Sequence, residues 1–218
     1  MDQLLVRKTF LDYMIKHMHG YNLLGEKALT EMLSDIKDDT KESSDSYSML
    51  AQELYIQEKL HTAVNIYPNH FYSSLVLTIY SFLEGELLEV CKILHITRGF
   101  PSSDEEQTRD RGIRRSKKYI EKYTGISVDQ GLWEEILELN RMRNIIAHHG
   151  PDFNKKLQLL VEQNLGNHVQ KYDLLKETPY RNILLSSNYC GKVIDLIKVF
   201  LEQIYTKIQA GSSLNTNK

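Results

Sequence analysis

The chain has 218 residues, enough for one good hydrophobic core and not for two. Its 41% hydrophobic and 26% charged residues are ordinary for a soluble globular protein, and four prolines with eleven glycines leave room for long helices. A formal charge of −2 excludes a global basic field, so any nucleic-acid contact has to come from a local basic surface.

The N-terminal segment 2–37 carries Leu4, Leu5, Phe10, Leu11, Met14, Ile15 and Met18 at helical spacing. Gly20 and Gly25 predict a break, after which Leu29, Met32, Leu33 and Ile36 resume the pattern, so two helices are expected. Asp2, Arg7, Lys8 and Asp12 argue against a signal peptide. Residues 35–45 are polar and read as a loop. A further helix is predicted over 46–65, ended or kinked at Tyr67-Pro68.

The longest run, 71–96, is apolar on most sides: Leu75, Val76, Ile79, Phe82, Leu83, Leu87, Val90, Cys91 and Leu94. It predicts a central helix buried on most sides. Residues 97–106 read as a loop. Segment 108–123 is the most basic in the chain, and Arg114, Arg115, Lys117 and Lys118 are its candidate phosphate contacts, with a solvated charged face as the alternative. Residues 125–131 form a linker into an amphipathic helix over 131–148, which Gly150-Pro151 stops. Short strands at 157–161 and 168–172 would form a hairpin. The last helix is predicted over 180–209, with a disordered polar tail at 210–218. No apolar stretch reaches about 18 residues, so no transmembrane helix is expected and a cytoplasmic location follows. Cys91 and Cys190 lie in apolar-periodic runs and are expected as buried free thiols. Two cysteines make neither a disulfide framework nor a zinc site, and the eight histidines show no metal-binding spacing, so neither metal nor cofactor is expected.

The chemistry concentrates in helix 131–148. On a wheel of about 100° per residue, Leu132, Ile136, Leu139 and Ile146 share one side and Glu134, Glu138 and Arg141 the other. Arg143 falls inside the apolar arc, and Asn140, Asn144 and His148 form an i, i+4, i+8 ridge along its rim. A guanidinium aimed at a seam needs a carboxylate or a phosphate, because an unpaired buried charge is costly. Glu84 and Glu86, on opposite flanks of the central helix, are the candidate carboxylates; the remaining option is a partner chain.

Arg143-Asn144-Ile145-Ile146-Ala147-His148 reads R-N-x-x-x-H and resembles the R-x4–6-H motif of HEPN domains. The 81–87 stretch, with Glu84 and Glu86, is similar to HEPN sequences too. The resemblance spans roughly 45–208 and implies an all-α, up-and-down helical bundle; residues 1–40, read from their periodicity as a helical extension, lie outside it. Many HEPN proteins are metal-independent ribonucleases, so it implies a homodimer whose facing motif helices build a composite RNA-cleaving cleft. Arg143, His148 and Asn144 would then form the catalytic set, with Asn144 orienting the imidazole or a phosphate oxygen. Asn140 and His149 would support them, and Arg141 would join the basic RNA contacts. A toxin or antiviral-defence effector, with an antitoxin or regulatory protein as possible partner, is the expected role. The alternative is a HEPN-like module that only binds RNA, a nucleotide or a protein.

Metal-free cleavage of RNA needs a base for the 2′-hydroxyl, a cation for the phosphorane charge and an acid for the leaving 5′-oxygen. Histidine suits one proton transfer near neutral pH, and arginine's fixed fork suits the phosphate.

Overall fold

A computed structural model describes residues 3–42, 49–103, 110–149, 176–177 and 183–215. Its long elements are all α-helical, as the periodicity predicts: α1 (Gln3–Glu42), α2 (Met49–His61), α3 (Tyr67–Arg98), α4 (Gly112–Thr124), α5 (Gln130–His149) and α6 (Ser187–Asn215). One short antiparallel pair, β1 (Lys176–Glu177) and β2 (Ile183–Leu184), sets Lys176 opposite Leu184. The strands expected at 157–161 and 168–172 fall outside the described residues. Among those described, no helix is long and apolar enough to cross a membrane.

The chain divides into two compact units. The first comprises residues 1–18, 78–143 and 193–218; the second comprises 19–77 and 144–192. Leu4, Leu11, Ile15 and Met18 of α1 are buried, and they belong to the first unit together with the most buried parts of α3, α5 and α6.

The first unit is an α-helical bundle. Its core holds Ile79, Leu83, Leu87, Val90 and Leu94 from α3, Ile113 and Ile120 from α4, Ile136, Leu139 and Met142 from α5, and Ile197, Phe200, Leu201 and Ile204 from α6. Trp133 stacks on Phe200 with centroids 6.1 Å apart. Asp129 caps α5, its Oδ1 accepting the Leu132 N–H at 2.9 Å. Gly125 ends α4 in the left-handed region, at φ 70°, and donates its N–H to the Glu121 carbonyl at 3.0 Å.

The second unit explains two departures from the periodicity. The expected break at Gly20 and Gly25 does not occur, and α1 runs unbroken to Glu42 through the predicted loop. A glycine inside a helix costs only about 1 kcal/mol, and at Gly25 its lack of a Cβ is used. The Phe71 ring lies where that Cβ would be, and Tyr21 meets the same ring at 5.4 Å. Nor does Tyr67-Pro68 end the helix before it. A π-helical turn, Thr62–Ile66, joins α2 to α3, with the Tyr67 N–H reaching back to the Thr62 carbonyl. Proline lacks an amide and crowds the carbonyl four residues earlier, so the ladder steps wider just ahead of Pro68.

At the other end of this unit, Ser186 caps α6 by accepting the Tyr189 N–H on its Oγ at 3.2 Å. The last helix therefore starts at Ser187 rather than 180. It continues to Asn215, into the stretch expected as a disordered tail. Cys91 and Cys190 are free and buried, as their positions in apolar runs predict.

Candidate functional site

Helix α5 carries the motif as one unbroken element, so Arg143 and His148 are five residues apart on a single rod. Arg143, Asn144, Asn140 and Ile146 are half-buried, Met142 is buried, and Arg141 and His148 are exposed. The side chain of His149 lies outside the described residues.

Arg143 meets an aromatic face. Its guanidinium carbon lies 5.4 Å from the centroid of the Tyr80 ring, a cation–π distance. The Tyr80 hydroxyl donates to Asn140 Oδ1 at 2.8 Å. Tyr80 and Glu84 sit at i, i+4 on α3, and Asn140 and Arg143 at i, i+3 on α5, so each pair shares a helix face. Burial holds the Tyr80 hydroxyl well above its ordinary range; Glu84 adds to this, while Arg143 and Arg114 oppose it. Two cations and one carboxylate thus act on a single phenol. Glu84 also closes on the start of α4, where a Cβ at Gly112 would lie 2.9 Å from its Oε1. Gly112 has φ 54°, a conformation that glycine adopts without strain, so the carboxylate and the backbone fit together there.

Glu86 is engaged elsewhere, which corrects its candidacy as the Arg143 counter-ion. It is 2% exposed and bound by both Nε and Nη2 of Arg7, the Nε contact at 3.2 Å. The Tyr205 hydroxyl donates to its Oε2 at 2.6 Å. The Tyr80 ring, whose hydroxyl is held by Asn140, forms one seat of the guanidinium.

The basic residues of α4 split. Lys117 turns inward: its ammonium pairs with Glu121 Oε2 at 2.6 Å and lies 5.2 Å from the Trp133 ring centroid. Arg114 and Lys118 are exposed, and Arg115 is half-buried. Among the described residues no group of three or more His, Cys, Asp or Glu side chains is placed to hold a metal ion.

Two residues of this picture escaped the sequence reading, Arg7 and Tyr80. Arg7 stands between Leu4 and Leu11 at i, i+3, i+7, a charge inside an apolar ridge. That is the signal that singled out Arg143. Tyr80 could have been found as the residue one turn before Glu84 on the central helix.

The chain matches no protein-family model, no curated protein and no solved structure. The likeness of 143–148 to the HEPN motif therefore rests on the residues themselves.

Proposed function

We propose that this protein is a metal-independent endoribonuclease that cleaves single-stranded RNA by attack of the 2′-hydroxyl on the adjacent phosphate. The observation that carries the reading is the seat of Arg143: a half-buried guanidinium on the Tyr80 ring, with the Arg114 charge close by, on a helix that also presents His148 to solvent. The ring seats a half-buried guanidinium whose fixed fork of donors suits a transient phosphate charge.

In this mechanism the His148 imidazole of one copy takes the 2′-hydroxyl proton. The 2′-oxygen attacks phosphorus, and Arg143 stabilises the charge on the non-bridging oxygens. A second imidazole gives a proton to the 5′-oxygen as the P–O5′ bond breaks. The products are a 2′,3′-cyclic phosphate and a 5′-hydroxyl end. One motif supplies one imidazole at this position, so the active unit is a homodimer, with His149 as the second proton donor if the monomer cuts. Asn144 orients its neighbours. The role of a toxin or antiviral effector acting in the cytoplasm, restrained by an antitoxin or regulatory protein, belongs to the same reading.

The test is incubation of purified protein with single-stranded RNA in EDTA, with identification of the product ends and sedimentation of the active species. Cyclic phosphate ends from a dimer are expected. RNA that is bound but uncut would replace the catalytic reading with a binding module.

A further inference from the structure

Tyr80 is buried on α3, in a column whose next members, Leu83 and Leu87 at i+3 and i+7, are buried too. A phenol among apolar side chains needs an acceptor for its hydroxyl, because an unpaired buried hydroxyl is costly. Asn140 of α5 supplies it, accepting on Oδ1 at 2.8 Å. Burial holds the phenol protonated, so this donor persists through neutral pH.

That bond alone would satisfy the tyrosine. The same ring makes a second contact with α5, where the Arg143 guanidinium carbon lies 5.4 Å from its centroid. Asn140 and Arg143 stand at i, i+3, so their Cβ atoms are about 5–6 Å apart. One side chain of α3 therefore meets two neighbouring points of α5, with its hydroxyl on one and its ring on the other. Both contacts lie within one compact unit.

The partners differ in freedom. Tyrosine turns about few bonds, and here packing holds its ring while Asn140 holds its tip. Arginine has a long stem with large rotamer entropy. A guanidinium that meets a developing phosphate charge must already point the right way, since a misplacement of about 1 Å can cost about 10²-fold in rate. A ring restricts a guanidinium without consuming the N–H donors, which lie in the guanidinium plane. Arg143 makes a further interaction besides this one, so what the ring contributes is direction rather than the whole of its binding.

We propose that Tyr80 is a positioning residue for Arg143: with its hydroxyl anchored on Asn140, its ring sets the direction in which the guanidinium meets phosphate. This role rests on the ribonuclease reading for the reaction it serves. It adds that the geometry of the motif helix is set from α3, outside the motif. It also makes the ring, more than the hydroxyl, the part that the chemistry needs.

The experiment uses the full chain, isotope-labelled, and measures NMR order parameters of the arginine Nε–Hε bonds, with the Arg143 signal identified by its loss in Arg143→Lys. Arg7 is the internal control: it lies 4.9 Å from the Phe10 centroid, donates its Nε–H to Glu86 at 3.2 Å and should stay ordered throughout. The Arg143 bond should be ordered in the parent and in Tyr80→Phe, and should fall below about 0.6 in Tyr80→Met, which fills much of the space without a ring. In EDTA, Tyr80→Met should lose about 10–10²-fold in kcat for single-stranded RNA with KM changed by less than about threefold, and Tyr80→Phe should restore most of the rate. Thermal melts check that both variants are folded. An Arg143 bond as mobile in the parent as those of exposed arginines overturns the positioning role, whether or not a variant folds. So does an Arg143 bond that stays ordered in folded Tyr80→Met. If the parent does not cut RNA while Arg143 is ordered in it and released in Tyr80→Met, the ribonuclease reading fails and the seat stands. If the parent and Tyr80→Met cut equally fast, the positioning role fails and the ribonuclease reading stands.

Discussion

Helix α3 carries two constellations built from the same three residue types. In one, Glu86 is sealed between Arg7 and the Tyr205 hydroxyl. In the other, Glu84 and Tyr80 stand beside Arg143, with Arg114 acting on the same phenol. The first has its acid and its arginine locked together, with Glu86 at 2% exposure. The second leaves Glu84 and Arg143 half-buried and Arg114 exposed. Both tyrosines are held protonated by burial and by the nearby glutamate. What separates the two is exposure: Glu86 is sealed, whereas Glu84 and Arg143 are half-buried. A sealed ion pair holds helices together, whereas a half-buried guanidinium on a ring is within reach of solvent.

The largest effect that could break this contrast is on activity. Arg143→Ala should lower RNA cleavage by about 10²–10³, the usual loss when one donor to a developing oxyanion is removed. Its melting temperature should stay close to the parent's. A loss of activity that tracks a loss of fold would make Arg143 structural, like Arg7.

Arg7→Ala should show the opposite pattern. It leaves a buried carboxylate with one hydroxyl partner, which should cost about 2–3 kcal/mol of stability, a fall in Tm on the order of 5–10 °C. Cleavage per folded molecule should be preserved below the new Tm. Thermal melts and rates on the same preparation separate the two arginines.

Alkaline pH sharpens the comparison from the buried side. Burial pushes the Cys190 thiol from its ordinary 9.0 up to about 12, and the Tyr72 hydroxyl from 10.0 to about 12, with Glu26 adding to the latter. Tyr205 is raised too, by burial and then by Glu86. The folded chain therefore keeps protons that the unfolded chain releases. This contribution is complete below about pH 9 and is lost as pH rises toward about 12. Melting temperatures measured from pH 8 to pH 11 should fall, most steeply above pH 10. A flat profile would mean that these hydroxyls and the thiol are solvated.

The smallest effect concerns Tyr80 itself. Tyr80→Phe keeps the ring under Arg143 and removes only the hydrogen bond to Asn140, a loss of about 1 kcal/mol. Cleavage should fall by much less than with Arg143→Ala. A full loss of activity would make the hydroxyl part of the chemistry.

How far these two regions could be read from sequence differs for a physical reason. Helix periodicity reports burial, so the all-α fold, the central helix and the buried cysteines were legible. It placed Arg143 inside an apolar arc, and the side chain is half-buried there. Periodicity does not report which helices meet. The pairing of Glu86 with Arg7 joins residues 79 apart, and that of Tyr205 with Glu86 joins residues 119 apart; no local pattern encodes either. Gly25 and Pro68 misled for a related reason. Both are breakers by local propensity, yet the helix continues through Gly25 under the Phe71 ring and past Pro68 by way of a π-turn.

The most direct measurement is the cleavage rate of single-stranded RNA in EDTA for the parent chain and for His148→Ala. His148 is exposed at the end of α5, so its removal should leave the helical spectrum intact. The account predicts that the parent cuts without added metal and that the variant is slower by about 10²–10⁴. Equal rates in the two proteins, or no cleavage by the parent, would contradict it.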